Sequence, residues 1–208
     1  MEHSSTRTVK SPGRPRGFDR AAALDSALDL FWERGYESTS ISDLCDAMSI
    51  RPPSLYAAFG NKAQLFLEAV DRYERTYWDP VWRGLKQEPD VRHAFSQLFD
   101  TGATIMSAQD GRQGCLVTLS AVGMSPASAD VAKALEKVRA DGVGHIHGRL
   151  KDAVNDGQLP GETNLLALAD ALNAILDGMA LRSRDGVSLE RLRKMGQAGE
   201  RMLPAGAG

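Results

Sequence analysis

Apolar residues recur along most of the chain at the three- and four-residue spacing of amphipathic helices. In the first such stretch, Leu24, Leu28 and Phe31 share one face. Asp19 precedes this stretch as a candidate N-cap, and Gly35 follows it as a candidate C-terminal glycine. No stretch shows the sustained alternation of polar and apolar residues that is typical of a strand. The pattern predicts an all-α protein.

Two short helices are predicted directly after the first one. The pair Ser40 and Asp43 has the spacing of a capping box and starts the second helix. Pro52 and Pro53 fit only the first turn of a third helix, which runs to about residue 59. Two such helices joined by a short turn have the layout of a helix-turn-helix motif.

The remainder of the chain is predicted to be a helical domain. A long fourth helix follows Gly60 and Asn61, and five or six more are expected after Pro80, at about residues 91–106, 114–122, 127–156, 163–182 and 189–202. The composition agrees with this interpretation, because Ala and Leu, which favour helices, outnumber Val and Ile by 50 to 16.

Charge is distributed unevenly along the chain. The 208 residues carry 25 Lys and Arg against 27 Asp and Glu, a net charge of -2, so the protein as a whole is not a polycation. Residues 1–20, in contrast, hold five basic and two acidic side chains, and Arg14 and Arg16 are among the basic ones. A flexible basic arm at residues 1–16 can track phosphates or enter the minor groove of DNA.

The third helix carries side chains suited to reading bases. The second helix of a helix-turn-helix lies in the major groove with its N-terminal residues on the base edges. The residues at these positions are Arg51, Pro52, Pro53, Ser54 and Tyr56. Arginine can bind guanine through two hydrogen bonds, and serine can reach several bases. Lys62, at the start of the fourth helix, is placed for a phosphate contact.

An ordered set of residues in this region has the spacing of a known family. The set is Phe31, Gly35, Tyr36, Thr39, Ser40, Leu44, Leu55, Tyr56, Phe59 and Lys62. The segment that contains it, residues 17–66, resembles the DNA-binding domain of TetR/AcrR-family transcriptional regulators. The resemblance covers about a quarter of the chain and is specific as a combined pattern.

The resemblance implies a homodimer that binds double-stranded DNA at an inverted-repeat operator. It implies a helix-turn-helix domain at residues 17–62 and a helical domain at residues 63–204 that binds a small-molecule effector. The DNA-facing positions carried over from the family are Ser40, Arg51, Pro52, Pro53, Ser54, Tyr56 and Lys62. Ser49 stands where the family commonly has a turn glycine, and Arg51-Pro52-Pro53 replaces the usual Ser-Lys-Gly. The base preference of relatives therefore does not transfer.

The predicted helix at residues 163–182 is apolar around more than one face, whereas a surface helix needs only one apolar stripe. We therefore expect one face to pack in the core and another against a partner subunit, and the resemblance implies dimerisation through the last long helices. Burial of the whole helix within one subunit is the alternative. The candidate interface residues are Gly144, Gly148, Leu165, Leu172, Leu176 and Met179. The two glycines allow either a close helix approach or a kink.

Aromatic and sulfur-containing side chains of the C-terminal domain are candidates for an effector pocket suited to a small apolar ligand. They are Trp78, Trp82, Phe95, Phe99, Met106, Cys115 and Met124. Ordinary core packing is the alternative for each of them. Cys115 could instead react with oxidants or electrophiles, although a buried helical cysteine is usually inert.

Other classes of protein are disfavoured. The sequence contains no nucleophile elbow, Walker loop, metalloprotease motif or dinucleotide-binding fingerprint, so we expect neither an enzyme nor a cofactor. His145 and His147 are two residues apart on a helix and cannot share one ion, so no metal is expected. The two cysteines fit a reducing compartment. No secretory signal is visible, and polar residues interrupt the apolar run at residues 165–181, so we expect a cytoplasmic protein without a membrane span.

The sequence thus predicts a ligand-responsive, sequence-specific transcriptional regulator, a repressor that a small apolar effector releases from a palindromic operator. A helical protein-interaction scaffold without specific DNA binding is the alternative hypothesis. In that case Arg51 and Tyr56 would be dispensable.

Overall fold

A computed structural model describes residues 18–107 and 111–205, and within these ranges the chain forms helices and turns but no strands. The helices are α1 (Arg20–Arg34), α2 (Ile41–Ala47), α3 (Pro52–Phe59), α4 (Lys62–Tyr73), α5 (Asp79–Gln87), α6 (Val91–Met106), α7 (Leu116–Ala121), α8 (Ala129–Asn155), α9 (Leu165–Arg184) and α10 (Leu189–Glu200). A π-helical turn at Glu74–Trp78 joins α4 to α5, and a short 3-10 helix at Pro126–Ser128 precedes α8. The all-α fold class is confirmed.

The first three helices form a compact unit against α4. Asp19 caps α1 by accepting hydrogen bonds from the backbone amides of Ala21 and Ala22. Phe31 of α1 packs edge-on against Phe66 of α4, with 5.0 Å between the ring centroids. Such aromatic pairs contribute beyond their buried area, so this contact fixes α1 against α4.

One long helical rod runs from Lys62 to Gln87 through the π-helical turn, although it contains Pro80. Proline has no backbone N–H, and its ring clashes with the carbonyl four residues earlier in a regular α-helix. The turn just before Pro80 widens to π-helical spacing, a recognised way of inserting an irregularity without ending a helix. The fourth helix therefore continues past Pro80 into α5, a segment for which the sequence pattern predicted no helix.

The C-terminal domain packs α6, α8, α9 and α10 around a common apolar core. Gly196 and Gly199 of α10 allow a close approach to α6, because a Cβ at Gly196 would lie 2.5 Å from the Cβ of Phe99. Trp32 of α1 ties the two domains together by donating a hydrogen bond from Nε1 to the carbonyl of Gly114 over 3.0 Å. None of the helices in the described ranges is long and apolar enough to cross a membrane.

Candidate functional site

Helix α3 presents one exposed face and one buried face. Leu55 and Phe59 are buried and anchor α3 to its neighbours. On the opposite side the Tyr56 side chain is 49% exposed. The other exposed residues of this surface are Arg51, Pro52, Pro53 and Ala57, whereas Ser54 is half-buried. We call these exposed residues, together with Tyr56, the α3 surface.

The two prolines limit what the start of α3 can offer to a ligand. They occupy the first two helical positions, and neither has a backbone N–H. Arg51 is the N-cap in extended conformation, and its side chain makes no capping hydrogen bond. Side chains, Arg51 and Tyr56 above all, must therefore supply most of the hydrogen bonds at this end of the α3 surface.

Two other carried-over residues make hydrogen bonds within the chain. The Ser40 hydroxyl accepts from the backbone amide of Asp43, and the backbone amide of Ser40 donates to the Asp43 carboxylate over 2.9 Å, which completes the capping box of α2. The Lys62 ammonium lies 4.4 Å above the Tyr36 ring and donates to the carbonyl of Glu37. Burial lowers the pKa of Lys62. Both residues thus hold the helix-turn-helix together whatever else they contact.

The basic side chains of the N-terminal segment, up to Arg20 at the start of α1, fall into two groups. Arg14 and Arg16 lie outside the described residues. Arg20 binds the carboxylate of Glu68 at 2.8 and 2.9 Å and donates to the carbonyl of Ala58. These contacts connect α1 to α3 and α4, so Arg20 helps to fix the position of α3.

The turn between α2 and α3 places Ser49 in the left-handed region, with φ of +53°. The amide of Ile50 donates to the carbonyl of Cys45, and that of Ser49 donates to Asp46, the pattern of a Schellman motif. This backbone conformation favours glycine, because a Cβ is strained in the left-handed region. Ser49 stands at the position where TetR/AcrR-family regulators, which this segment resembles, commonly have a turn glycine.

A cavity lies in the C-terminal domain between the π-helical turn, α7, α8 and α9. It is a narrow space that is partly open to solvent. Its lining is Glu74, Trp78, Trp82, Met106, Cys115, Val117, Thr118, Val138, Arg139, Gly142, Asn173, Leu176 and Asp177. Four of the seven candidate effector residues are in this set, namely Trp78, Trp82, Met106 and Cys115.

The other candidate effector residues lie elsewhere. Phe95 is fully buried in α6. Phe99 packs against the two glycines of α10 and so belongs to the core between α6 and α10. Met124 is half-buried in the loop before the 3-10 helix. The pattern of large apolar residues did not distinguish cavity walls from ordinary core.

The cavity is more polar than the sequence analysis expected. Glu74, Arg139, Asn173 and Asp177 reach it from three different elements. Burial raises the pKa of Glu74 to about 7, with further contributions from the nearby carboxylates of Asp79 and Asp141. Sequence analysis missed these residues because each is an ordinary polar residue of an amphipathic helix, and only the fold brings them together.

Two stacked rings, Trp78 and Trp82, line one side of the cavity, with 5.3 Å between their centroids. The Trp82 ring also stacks with His145 at 5.2 Å. Trp78 also donates from Nε1 to the hydroxyl of Tyr73 over 2.9 Å.

Cys115, the candidate for a reactive thiol, lines the same cavity. Cys115 is buried, and burial raises the pKa of its thiol, which favours the unreactive protonated form. Among residues 18–107 and 111–205, no group of three or more His, Cys, Asp or Glu side chains is arranged to hold a metal ion.

Three of the candidate interface residues pack in the core of the chain itself. Leu172, Leu176 and Met179 are at most 4% exposed, so their side chains have no surface left for a partner. That part of the interface prediction is wrong, because the apolar seam of α9 faces inward. Leu165 is half-buried.

A different face of α9 is exposed. Leu166 is 60% and Leu181 45% exposed, and Ala167, Asp170 and Ala174 lie between them on the same side of the helix. We call these five residues the outer face of α9. On α8, Gly144 is exposed and Gly148 half-buried, and a Cβ at either glycine would meet nothing within 4 Å. No close helix approach within the described chain therefore accounts for these two glycines.

Comparison with known proteins gives a consistent result. Residues 23–69 match the family model described as bacterial regulatory proteins, tetR family. The chain is similar to the HTH-type transcriptional repressor ComR of Escherichia coli, with 36% identity over 206 residues and 98% of each chain covered. It is also similar to the repressor BdcR of the same organism, with 29% identity over 185 residues and 87% of each chain covered.

A solved structure extends the similarity to three dimensions. It contains a cysteine mutant of the TetR family transcriptional regulator CifR, complexed with a 26-bp double-strand operator DNA. The two chains share 36% identity and a TM-score of 0.88, and the match covers 92% of this chain and all of the other.

Proposed function

The chain belongs to the TetR family of bacterial regulatory proteins, and we propose that it is a repressor that binds an inverted-repeat operator as a homodimer and is released by a small molecule. The observation that carries this proposal is the α3 surface. An eight-residue helix fixed by Leu55 and Phe59 leaves Arg51 and Tyr56 free on its outer side. A helix with this arrangement fits the major groove.

Each residue of the proposed DNA interface has a separate role. Arg51 reads a base edge, most simply a guanine, through its guanidinium. Pro52 and Pro53 bring the start of α3 close to the bases without unpaired amides, and Ser54 and Tyr56 contact bases or phosphates further along. Ser40 and Lys62 flank this surface near the phosphates, and Arg14 and Arg16 belong to an arm that adds sequence-independent affinity.

The proposed dimer uses the outer face of α9 together with Gly144 and Gly148 of α8. Leu166 and Leu181 are large apolar side chains that leave about half or more of their surface in water. Gly144 and Gly148 leave α8 flat enough for a partner helix to approach closely. In a two-fold dimer each of these contacts occurs twice, which suits a palindromic site.

The proposed effector site is the cavity lined by Trp78, Trp82 and Met106. The helical rod that begins at Lys62 beside α3 passes this cavity at Glu74 and Trp78. A ligand that binds one arrangement of this rod better than another shifts the population of dimers whose recognition helices match successive major grooves. A regulator of this kind acts where the DNA is, and we propose a cytoplasmic location.

The direct test is selection of bound duplexes from a random DNA pool by the full-length protein at about 150 mM salt. We expect enrichment of an inverted repeat with half-sites about one helical turn apart. Failure to enrich any sequence by a folded dimer, together with unchanged behaviour of an Arg51→Ala, Tyr56→Ala double variant, would favour the scaffold alternative.

A further inference from the structure

Arg139, which lines the cavity, carries a hydrogen-bond donor that the protein itself does not satisfy. In the described part of the chain, Nη1 of Arg139 is buried and has no hydrogen-bond partner. Arg139 is half-buried on α8 and lines the cavity together with Glu74 and Asp177. A buried guanidinium nitrogen without an acceptor costs free energy, so its retention needs an explanation.

The acidic groups of the cavity do not meet this need. Asp177 accepts from the hydroxyl of Thr118 over 2.8 Å through one carboxylate oxygen and from the amide of Asn173 over 3.0 Å through the other. Glu74 forms no hydrogen bond with Arg139, and burial favours its neutral form. The unmet requirement of the cavity is therefore an acceptor, not a donor.

The remaining walls are apolar and of limited size. Trp78, Trp82, Val138 and Leu176 contribute hydrocarbon or indole surface. Indole edges carry partial positive charge and pack well against the face of another ring. The walls leave only a narrow space, part of it open to solvent, which limits a ligand to a small organic molecule.

We propose that this cavity binds a small carboxylic acid, with the carboxylate on Arg139 and the apolar body against Trp78, Val138 and Leu176. A carboxylate supplies the charge-assisted acceptor that Nη1 lacks, and arginine recognises it well because of its planar donor geometry. This inference rests on the proposed function, in which the same cavity holds the effector, and it names the chemical class of that effector.

The position of Glu74 gives this site a connection to the rest of the molecule. Glu74 and Trp78 are the first and last residues of the π-helical turn, and both line the cavity. Isolated π-helical turns within longer helices are frequent at functional sites. A neutral Glu74 can donate a hydrogen bond to a bound carboxylate, whereas an ionised Glu74 repels it.

The test uses matched pairs of probes on the full-length dimer. Benzoate, phenylacetate and hexanoate are each titrated by calorimetry against their own neutral amides, and benzoate is also compared with the cation benzamidine. We expect at least one carboxylate to bind at least about tenfold more tightly than its amide, since a hydrogen bond to a charged group is worth that much or more. Benzamidine should bind more weakly than benzoate.

The variant Arg139→Met keeps an unbranched apolar stem and removes the charge. Carboxylate affinity should fall by about tenfold or more, while the midpoint of thermal unfolding without ligand should not fall, because the variant removes an unsatisfied buried donor. Arg191→Met is the matched control, since Arg191 is exposed on α10 away from the cavity. It should leave the affinity unchanged.

Three results would overturn the proposal: every carboxylate binding no better than its amide, benzamidine binding more tightly than benzoate, or Arg139→Met retaining full affinity. The DNA selection described above separates this failure from failure of the proposed function. A protein that selects an inverted repeat but ignores carboxylates remains a regulator with a different effector. A protein that binds carboxylates through Arg139 but selects no DNA keeps the site and loses the regulatory role.

Discussion

The side-chain carboxylate of Glu37 accepts a hydrogen bond from the backbone amide of Ser125 over 2.9 Å, although the two residues are 88 positions apart in the chain. Glu37 lies in the turn between α1 and α2, and Ser125 directly precedes the 3-10 helix that leads into α8. Hydrogen bonds from Ser125 and Ser128 lower the pKa of Glu37. An ionised carboxylate thus links the helix-turn-helix to the segment that carries Arg139.

Loss of this carboxylate should loosen the contact between the two domains. In Glu37→Ala the amide of Ser125 loses its acceptor, and we expect its hydrogen exchange to accelerate by about tenfold, the equivalent of one modest hydrogen bond. Glu37→Gln keeps an acceptor oxygen and should show a smaller increase. Exchange measured residue by residue provides the test, with the exposed Ser38→Ala as control. An unchanged rate at Ser125 in Glu37→Ala would contradict the assignment.

Arg51 and Lys62 should affect DNA binding in different ways. Arg51→Ala should reduce discrimination between the operator and single base-pair variants by about 1–3 kcal/mol at one position of each half-site. Lys62→Ala should weaken binding to all sequences alike and reduce the salt dependence by about one counterion. Titration of both variants against operator and mutated duplexes at several salt concentrations is the measurement. Equal losses on every duplex for both variants would refute the division of roles.

The outer face of α9 makes a prediction about assembly. Leu166→Lys should raise the dimer dissociation constant by about a hundredfold or more, because a two-fold interface loses the buried leucine twice. Met202→Lys is a matched control, since Met202 is exposed to the same 45% as Leu181 but lies beyond the end of α10. Sedimentation equilibrium distinguishes the two variants. A Leu166→Lys protein that stays as dimeric as the control would place the interface elsewhere.

Much of the fold follows from local sequence signals. The caps at Asp19 and Ser40 and the proline pair at the start of α3 gave helix boundaries to within a few residues, because capping and proline sterics act over one turn. The π-helical turn before Pro80 was not predicted, since it depends on how the rod packs and not on a local propensity.

The candidate sites were less predictable, for a physical reason. Glu74, Arg139 and Asp177 are 65 and 38 residues apart in sequence, and only the packing of α8 and α9 against the π-helical turn brings them to one cavity. The apolar seam of α9 was correctly identified as apolar, but periodicity does not distinguish a core from an interface. Leu172 and Met179 therefore looked the same as residues facing a partner.

Ser49 provides a test of backbone strain. Ser49→Gly should raise the free energy of unfolding by about 1 kcal/mol, because the left-handed conformation penalises a Cβ. Ser42→Gly, on the exposed side of α2, should instead lower it by up to about 1 kcal/mol through the flexibility of glycine in a helix. Urea denaturation at fixed protein concentration compares the two. Destabilisation by Ser49→Gly would show that the serine side chain contributes more than its strain costs.

Glu74 should make stability depend on pH. Its pKa of about 7 in the folded chain exceeds the ordinary 4.5, mainly because it is buried and also because the carboxylates of Asp79 and Asp141 are nearby. Asp177 and Arg139 line the same cavity. Between these values the unfolded chain is ionised and the folded chain protonated, so the free energy of unfolding falls as pH rises, by up to about 3 kcal/mol, and levels off above pH 7. Glu74→Gln should remove this fall in urea denaturation at fixed protein concentration, and the exposed control Glu190→Gln should keep it. Parallel pH curves for wild type and Glu74→Gln would show that the carboxyl titrates normally.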